Sequence, residues 1–296
     1  MIIKRLDNKD DLNLYSYYTT ITNNEGVFVC QNKEKFFKLL DESTVLYKKD
    51  FSGLIVFNDT KDTRHITILY GSEAVMNELL DEVEGELTVS FTPRNKHILE
   101  WYPDSIHRHP SYQAVPEGSL LYKVLKSRGY SEIGILDTFL LDLESFVLDD
   151  NFYGLLEEKK TEMLDVTFFD KNKHDISYFL ENIKHPSWEN TIIKNIEKES
   201  PYPLLVALHG NKVVGFTGPL YREYDGRGFF AGIGVLPTFG GRKLGTLLFF
   251  MLANELKKMG ATFMTFYTGR DNHARFIYLK AGSKIVKSSI MMVKKP

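Results

Sequence analysis

The sequence predicts an α/β protein (α+β, with mixed sheets) made of two tandem domains, each a mostly antiparallel mixed sheet flanked by helices. Short β-rich apolar runs alternate with stretches of helical periodicity along the 296 residues. The same order of elements occurs in both halves: strand, two helices, three strands, helix, strand, helix, strand. A glycine stops the last helix of each half, at Gly129 and at Gly282. A repeat of about 150 residues is too long for a solenoid, so we interpret it as a duplicated domain, with one continuous α/β sheet without symmetry as the alternative.

The composition excludes several classes of protein. With 43% hydrophobic and 13% aromatic residues, the chain can bury enough apolar area to fold. The formal net charge of −2 gives no global basic excess for nucleic acid or an anionic membrane. The single cysteine, Cys30, excludes an intrachain disulfide and a four-cysteine zinc site. Because residues 1–7 show no signal-peptide pattern and no apolar run approaches a membrane span, we expect a cytoplasmic protein.

In the first half, capping residues set the limits of helices and polar turns separate the strands. Asp7 or Asn8 is the expected cap of the first helix, and Ser72 of a later one. Residues 148–160, acidic at first and basic at the end, are interpreted as a linker after a domain at 1–147. The predicted elements are a strand at 1–6, helices at 9–22 and 33–40, strands at 44–47, 53–57 and 66–70, a helix at 72–83, a strand at 86–91, a helix at 119–128 and a strand at 133–143.

The second domain is expected at residues 161–296. Gly210-Asn211 between two apolar runs is a strong hairpin signal. The apolar residues of 244–259 follow helical spacing. The predicted elements are a strand at 161–169, helices at 173–183 and 188–198, strands at 203–209, 212–218 and 228–235, a helix at 244–259, a strand at 262–267, a helix at 272–281 and a strand at 284–293.

The segment 234–246 reads strand, glycine-rich turn, helix. Glycines let a backbone approach an anion closely, and the free N–H groups of a helix start point at it. Arg242 and Lys243 add positive charge at the same place. The spacing matches neither a Walker loop nor the dinucleotide fingerprint, so a pyrophosphate site or an ordinary tight turn with a solvated basic pair remain the two interpretations.

A second segment, 272–283, places Ala274 and Tyr278 four residues apart on one face of a helix. Asn272 stands at or near the N-cap of that helix. Taken alone, Tyr278 is more typical of a core tyrosine than of a catalytic one.

Together the two segments resemble the Gcn5-related N-acetyltransferase (GNAT) superfamily, over about residues 160–296. That family combines a strand ending in Val-x-Pro, a loop Arg/Gln-x-x-Gly-x-Gly/Ala, and a later Asn-x-x-Ala-x-x-x-Tyr-x-x-x-Gly. Gly240 stands where the family has Arg or Gln, and Lys243 replaces a glycine. The matching residues are Val235, Pro237, Gly245, Asn272, Tyr278 and Gly282, with Ala274 one residue nearer to the asparagine.

The resemblance implies acetyl-CoA as cosubstrate and no metal. The pyrophosphate would sit on the loop at 240–246, and the pantetheine arm between splayed strands ending near Val235 and Phe266. Tyr278 would protonate the leaving thiolate, which fits the need of thioester aminolysis for a positioned donor. The cofactor-binding residues implied are Gly234, Val235, Gly240, Gly241, Arg242, Lys243, Leu244, Gly245, Thr246 and Asn272.

The sequence does not identify a general base, since the strand at 228–235 has no carboxylate. Glu223, Asp225 and His209 lie on neighbouring predicted strands or turns, and each is interpreted as a solvated surface group. A neutral amine would need no base. Cys30 lies in the other half and is a poor candidate nucleophile.

The first half resembles a degenerate module of the same superfamily, as in tandem acetyltransferases. When Gly129 is aligned with Gly282, Ser119 falls at the position of Asn272 and Leu125 at that of Tyr278. The short segment 70–72 replaces the whole glycine-rich basic loop. We expect this half to bind no cofactor and to shape part of the acceptor pocket.

The predicted partner is a small-molecule or peptide amine, with the protein acting as a monomer or homodimer. His107 and His109 lack a recognisable third metal ligand and are interpreted as part of a surface loop. Arg94, Lys96 and Arg108 form with His109 a basic cluster too modest for nucleic acid. Two alternatives to an N-acetyltransferase stay open: a non-catalytic acyl-CoA-binding sensor, and an aminoacyl or other acyl transferase on the same duplicated fold.

Overall fold

The structure, a computed structural model, describes residues 1–27, 32–92, 99–111, 114–148 and 150–296, so Cys30, Arg94 and Lys96 lie outside the described residues. The helices are α1 (Asp11–Asn24), α2 (Lys33–Asp41), α3 (Glu73–Asp81), α4 (Leu120–Ser127), α5 (Asp150–Thr161), α6 (Ser177–Ile183), α7 (Pro186–Ile196), α8 (Leu244–Lys258) and α9 (Ala274–Lys280). The strands are β1 (Ile2–Lys4), β2 (Thr44–Lys48), β3 (Leu54–Asp59), β4 (Thr63–Tyr70), β5 (Thr88–Phe91), β6 (Val115–Pro116), β7 (Ser131–Asp142), β8 (Leu164–Phe168), β9 (Leu205–His209), β10 (Lys212–Thr217), β11 (Ile233–Val235), β12 (Phe263–Gly269) and β13 (Lys284–Lys294).

The predicted order of elements is confirmed in both halves, with two additions. The two-residue strand β6 was not predicted, and α5 occupies most of the segment interpreted as a linker. Ser72 caps α3 as expected, since its Oγ accepts from the Val75 N–H at 3.4 Å. The expected cap of α1 is wrong: α1 starts after Asp10, whose side chain makes no capping hydrogen bond.

Contacts divide the chain into two units that differ from the two halves of the sequence. Unit 1 contains Met1–Thr138, Tyr267–Asp271 and Ile285–Pro296. Unit 2 contains Phe139–Phe266 and Asn272–Lys284. The division runs through β7, β12 and β13, so each half of the sequence gives its closing strand partly or wholly to the other unit. The predicted domains at 1–147 and 161–296 differ from these units in that respect and stay a prediction.

Unit 1 is built on a mixed sheet with the strand order β1-β2-β3-β4-β5-β13-β7-β12, in which β6 pairs off this path with β13. Two clusters of buried side chains pack against it. One contains Leu14, Phe36 and Trp101, and the other contains Leu79 and Val124. Continuous runs of buried residues in β3 and β4 supply apolar side chains to both faces, because successive side chains of a strand point to opposite faces.

The last strand of the sequence completes the core of unit 1. Met292 of β13 lies opposite Phe91 of β5 in an antiparallel pair, and both side chains are buried. Ile290 and Met292 belong to the same cluster as Leu79. A fragment ending at residue 147 would therefore lack part of the core of its own unit.

Unit 2 contains a four-stranded antiparallel sheet in the order β11-β10-β9-β8. The hairpin predicted at Gly210-Asn211 is confirmed, with Lys212 opposite His209. Helix α8 buries most of its apolar residues in this unit, Leu248 and Leu252 completely. This burial holds α8 in place, so that its N-terminus lies just after the end of β11.

Across the described parts of the chain, every helix is too short or too polar to cross a membrane.

Candidate active site

The strands β11 and β12 meet at one end and then separate within unit 2. The Gly228 N–H donates to the Phe263 carbonyl at 2.8 Å, and Arg227 forms a parallel bridge with Phe263. Beyond that point β11 is an edge strand of the four-stranded sheet, while β12 belongs to the other sheet. Among the described residues no backbone hydrogen bond joins the two strands beyond this point, and the interval between them is here named the cleft.

The register of β11 decides which backbone groups face this cleft. Leu236 donates to the Val214 carbonyl at 2.9 Å, and Val235 lies opposite Gly215. Because hydrogen-bonded and non-hydrogen-bonded positions alternate in antiparallel pairs, Ile233 and Val235 direct their N–H and C=O groups away from β10. Gly234 instead pairs with β10, so of the two predicted contacts only Val235 offers its backbone to the open edge.

Just before β11 the chain is bent at Gly232, which has φ +131°. Its carbonyl accepts from the Thr217 hydroxyl at 2.9 Å. A Cβ at this position would lie 2.7 Å from the Trp188 indole nitrogen. Only glycine satisfies both the positive φ and the close approach of the ring.

The glycine-rich turn places a row of unpaired donors at the end of β11. After a 3-10 turn at Pro237–Phe239, Gly241 (φ +76°) and Lys243 (φ +62°) adopt left-handed conformations. No N–H group from residue 241 to Thr246 donates to a protein acceptor in the described structure. Successive N–H groups of this kind form a concave anion site that the dipole of the 15-residue α8 reinforces.

Two cations accompany these donors. The Arg242 guanidinium lies 3.6 Å from the Glu162 carboxylate and 5.7 Å from the centre of the Phe239 ring. Lys243 and Thr246 line a cavity of about 410 Å³, together with Lys280. The basic pair is therefore at the anion site, with Arg242 half-exposed and partly neutralised by one carboxylate.

Tyr278 lies in an aromatic cluster of unit 2. Its ring centre is 4.7 Å from that of Phe266 and 4.9 Å from that of Phe249. Phe139 of β7 and Phe230 complete the cluster at 5.5 and 6.0 Å. Phe139 belongs to the first half of the sequence, so that half contributes to the surroundings of Tyr278.

The Tyr278 hydroxyl makes no hydrogen bond within the described ranges, although the residue is only 5% exposed. Burial raises the pKa of this hydroxyl, because the phenolate would lose its hydration. The group therefore stays protonated around neutral pH and is available as a donor.

The side-chain oxygen of Asn272 has a backbone partner, while the residue itself is exposed. Its Oδ1 accepts from the Ala274 N–H at 3.0 Å, which satisfies a free donor at the start of α9. The side chain holds the helix that carries Tyr278.

We expect Asn272→Ala to lower the free energy of unfolding by about 1 kcal/mol, the usual effect of losing a side-chain acceptor at a helix start. Thermal or urea unfolding measures this change. Asn272→Asp keeps the acceptor and should retain the stability. A loss in acetyl-CoA affinity with unchanged unfolding would instead assign the side chain to the ligand.

The three residues considered as a general base from the sequence, Glu223, Asp225 and His209, each contact other residues of the protein. Glu223 was expected to be a solvated surface group, but its carboxylate lies 3.0 Å from the guanidinium of Arg227, which is 2% exposed. Arg227 in turn donates to Thr265 of β12. Asp225 accepts from the Arg227 N–H, and the His209 ring packs on Phe239. Glu223 thus closes a buried ion pair that fixes the turn before β11.

Two residues that sequence analysis did not single out stand beside the cleft. Trp188 of α7 donates from its indole N–H to the Ala231 carbonyl at 3.2 Å, and its ring packs on Phe216. The His185 ring stacks on Trp188 with 3.9 Å between centres. The signal in the sequence is a histidine and a rare tryptophan flanking Pro186, which starts α7.

The corresponding place in unit 1 has a different construction. Ser72 caps α3, and Ser119 accepts from the Tyr122 N–H at 3.1 Å to cap α4. Only about 30 Å³ of space remains near Gly71, where Thr22 and Val27 line the site. The starts of α3 and α4 are capped by serine side chains, and protein atoms fill most of the space near Gly71. This region therefore offers fewer free N–H donors than the loop at 240–246.

The other expectations concern the first half. His109 and Arg108 were expected in a surface loop but are buried, at 3% and 4% exposure, and Arg108 pairs with Glu100. His107 pairs with Asp104 at 2.7 Å. Among the residues that the structure describes, no group of His, Cys, Asp and Glu side chains is arranged to hold a metal ion.

Comparisons with known proteins identify a domain and a fold. Residues 166–282 match the sequence model of the acetyltransferase (GNAT) family. The GCN5-related glucosamine N-acetyltransferase region of a fungal multi-domain GH3 β-N-acetylglucosaminidase is similar with TM-score 0.67 and 13% identity, over 99% of this chain and 38% of that one. A GCN5-related N-acetyltransferase from Sphaerobacter thermophilus has TM-score 0.60 and 11% identity, over 100% and 96% of the two chains. No curated protein matches the chain.

A tandem GNAT protein from the clavulanic acid biosynthesis pathway is also similar, with TM-score 0.54 and 11% identity over 99% of this chain and 98% of that one. At these identities the similarity concerns the fold alone. The predicted fold class, a mixed α/β protein with two tandem domains of this kind, is confirmed.

Proposed function

We propose, on the premise that this chain belongs to the acetyltransferase (GNAT) family through residues 166–282, that it transfers an acetyl group from acetyl-CoA to an amine. The acceptor is a small molecule or a peptide with a free amine. The proposal includes the cytoplasmic location that the sequence led us to expect.

One observation carries the proposal: a strand with free backbone groups leads directly into a row of unpaired N–H donors. Val235 lies on the open edge of β11, and the donors begin at Gly241. This order fits an acyl carrier that has a diphosphate at one end and an amide-containing arm at the other. The diphosphate binds the N–H groups of 241–246, and the amides pair along the β11 edge.

The residues have separate tasks in the transfer. Bound acetyl-CoA supplies a thioester whose carbonyl carbon accepts the amine. Backbone N–H groups of the β11 edge donate to the carbonyl oxygen as negative charge develops on it. The Tyr278 hydroxyl donates to the sulfur while the carbon–sulfur bond breaks. Lys243 and Lys280, which line the cavity beside α8, attract the phosphates of the nucleotide end.

Release of free CoA thiol from acetyl-CoA tests the activity. The amine panel includes glucosamine, because one structurally similar region is named a glucosamine N-acetyltransferase, together with an aromatic amine and a peptide with a free N-terminus. Amine-dependent thiol release supports the proposal. Saturable binding of acetyl-CoA without release of thiol from any amine would favour the sensor alternative.

We expect one acetyl-CoA to bind per chain, because the free donors of the loop at 241–246 have no counterpart at the Ser72-capped start of α3. Isothermal titration of the full chain measures the stoichiometry. A truncated first half is unsuitable, since β13 belongs to unit 1. Two equivalent sites per chain would overturn the interpretation of the first half as a degenerate module.

A further inference from the structure

Residues 230–232 contact two separate sets of aromatic side chains, the cluster around Tyr278 and Trp188 of α7. Phe230 packs on the Tyr278 ring, 6.0 Å between centres, and on Phe249 of α8. The next two residues contact Trp188 of α7: the Ala231 carbonyl accepts its indole N–H, and its ring covers Gly232. Three consecutive residues thus connect Tyr278, the proposed proton donor to the sulfur, to a second aromatic wall formed by Trp188.

Helices α6 and α7 pack on one face of the four-stranded sheet, and α8 packs on the opposite face. Phe216 of β10 packs on Phe179 of α6 and on Trp188. Gly234 lies opposite Phe216 in the register, so its face is the α6 and α7 face. The bend at Gly232 separates it from Phe230, which packs on α8. The amide-containing arm of the acyl carrier, running along the open edge of β11 away from the loop at 240–246, reaches residues 230–232. These residues lie between the Tyr278 cluster and the Trp188 wall.

His185 is the titratable side chain of the second wall. Its ring stacks on Trp188 at an angle of 18°, and its Nδ1 pairs with the Ser187 hydroxyl at 3.0 Å. The residue is exposed, and no described residue pairs with its Nε2. The stack and the serine hold the ring in place and leave one nitrogen open towards solvent.

We infer that His185 is the general base of the transfer, acting on the acceptor amine from the face opposite Tyr278. The inference rests on the proposed function. The amine nitrogen forms a bond to the thioester carbon, and its proton passes to His185 Nε2. The carbon–sulfur bond breaks, and its electron pair leaves on the sulfur, which takes the Tyr278 hydroxyl proton. The imidazolium then returns a proton to solvent or to the tyrosine.

The charged residues nearest to His185 in the sequence are Glu181 of α6, Lys184 in the connection between the helices, and Glu189 of α7. The segment 228–236 that Trp188 covers has no titratable side chain.

Fluorescence tests the placement without any acceptor. Protonated imidazole in contact with an indole quenches its emission, so the emission of the full chain should fall as pH decreases through the histidine range. His185→Gln should remove the part of this step that comes from Trp188, because His109 also lies beside the other tryptophan, Trp101, with 6.5 Å between ring centres. The matched control is His174→Gln, in which the histidine lost is one that accepts the Asp170 N–H at the end of β8. A step of undiminished size in His185→Gln would show that the ring does not stack on Trp188 in solution.

Kinetics tests the chemistry, with acetyl-CoA and the amine that the panel identifies. In the wild type kcat should rise with pH as His185 loses its proton. His185→Gln should lose that rise and lower kcat about 10²-fold, a usual contribution of a general base. Added imidazole should restore part of the rate in His185→Ala, while acetyl-CoA affinity stays unchanged. Rescue distinguishes a base from a residue that only supports the wall.

The two failures are separate. If the wild type releases no thiol with any amine, the proposed function fails, and the role of His185 as base fails with it. If the wild type turns over, but His185→Gln keeps the pH profile and rate, only the inference about His185 is overturned. The His174→Gln control should match the wild type in every measurement.

Discussion

Replacing Tyr278 with phenylalanine is expected to lower kcat by about 10²–10⁴-fold, the range of a lost general acid. Acetyl-CoA affinity should not change, because charge on the sulfur develops only in the transition state. Thiol release gives kcat, and isothermal titration gives the affinity. A rate within about threefold of wild type would make Tyr278 a core tyrosine, since a lost general acid costs far more.

The Tyr278→Phe substitution should remove the hydroxyl without disturbing the packing around the ring. The hydroxyl makes no hydrogen bond among the described residues, so its removal leaves no protein group unpaired. The ring keeps its contacts with Phe139, Phe230, Phe249 and Phe266. Thermal unfolding should therefore be almost unchanged. Tyr178→Phe on α6, where Lys212 lies over the ring, is a matched control that removes a phenol outside the site.

The raised pKa of Tyr278 has a kinetic consequence. Because burial disfavours the phenolate, the donor remains protonated above the ordinary tyrosine pKa of about 10. Loss of activity through deprotonation of Tyr278 should therefore be absent between neutral pH and that value. The phenol is a weaker acid than the thiol it serves, so donation as the bond breaks is favoured over complete prior transfer.

Much of the fold could be predicted because its signals are local. Apolar spacing predicted α8 to within one residue at its end, and Gly210-Asn211 predicted the hairpin of β9 and β10. Each signal lies within a few residues of the element it specifies. The linker at 148–160 was interpreted from its charges alone, and there α5 forms instead.

The exchange of closing strands could not be predicted from the same information. The patterns of β7 and β13 show that each is a strand but contain nothing that selects its partner. In the structure β13 pairs with β5, and its buried Met292 completes a core of unit 1. The choice depends on packing between segments about 200 residues apart, which periodicity does not record.

The residues of the candidate site also fall into a part that is local in the sequence and a part that only folding brings together. The loop at 240–246 is continuous in sequence, so its donors and cations could be recognised together. His185, Trp188 and Phe139 come to the site only through folding, from α7 and β7. The sequence also placed Asn272 with the cofactor because the family pattern includes it, whereas the structure gives its side chain a backbone partner.

Removing both cations of the loop, in Arg242→Ala/Lys243→Ala, is expected to weaken acetyl-CoA binding by about 2–3 kcal/mol, which lies in the ordinary range of charge-assisted hydrogen bonds. That corresponds to a Kd increase of roughly 30- to 150-fold. The N–H donors at 241–246 remain, so binding should be weakened and not abolished. Isothermal titration at two salt concentrations measures the change, which should shrink as salt screens the charges.

The backbone at Lys243 requires a second version of the variant. With φ +62°, this position favours glycine, and alanine would keep the strain while losing the charge. Arg242→Ala/Lys243→Gly removes the same two charges and relieves the left-handed strain. If the two double variants bind acetyl-CoA equally weakly, the loss comes from charge and not from a distorted loop.

The control must remove the same net charge elsewhere in the domain. Lys194 in the last turn of α7 and Lys258 near the end of α8 are exposed, and Lys258 pairs only with Glu255 of its own helix among the described ion pairs. Lys194→Ala/Lys258→Ala should bind acetyl-CoA like the wild type. An equal loss in this control would mean that overall charge attracts the cofactor. Unchanged affinity in the loop variants would instead leave the N–H groups at 241–246 and Lys280 to bind the phosphates. Only a loss confined to Arg242 and Lys243 assigns the diphosphate to the turn between β11 and α8.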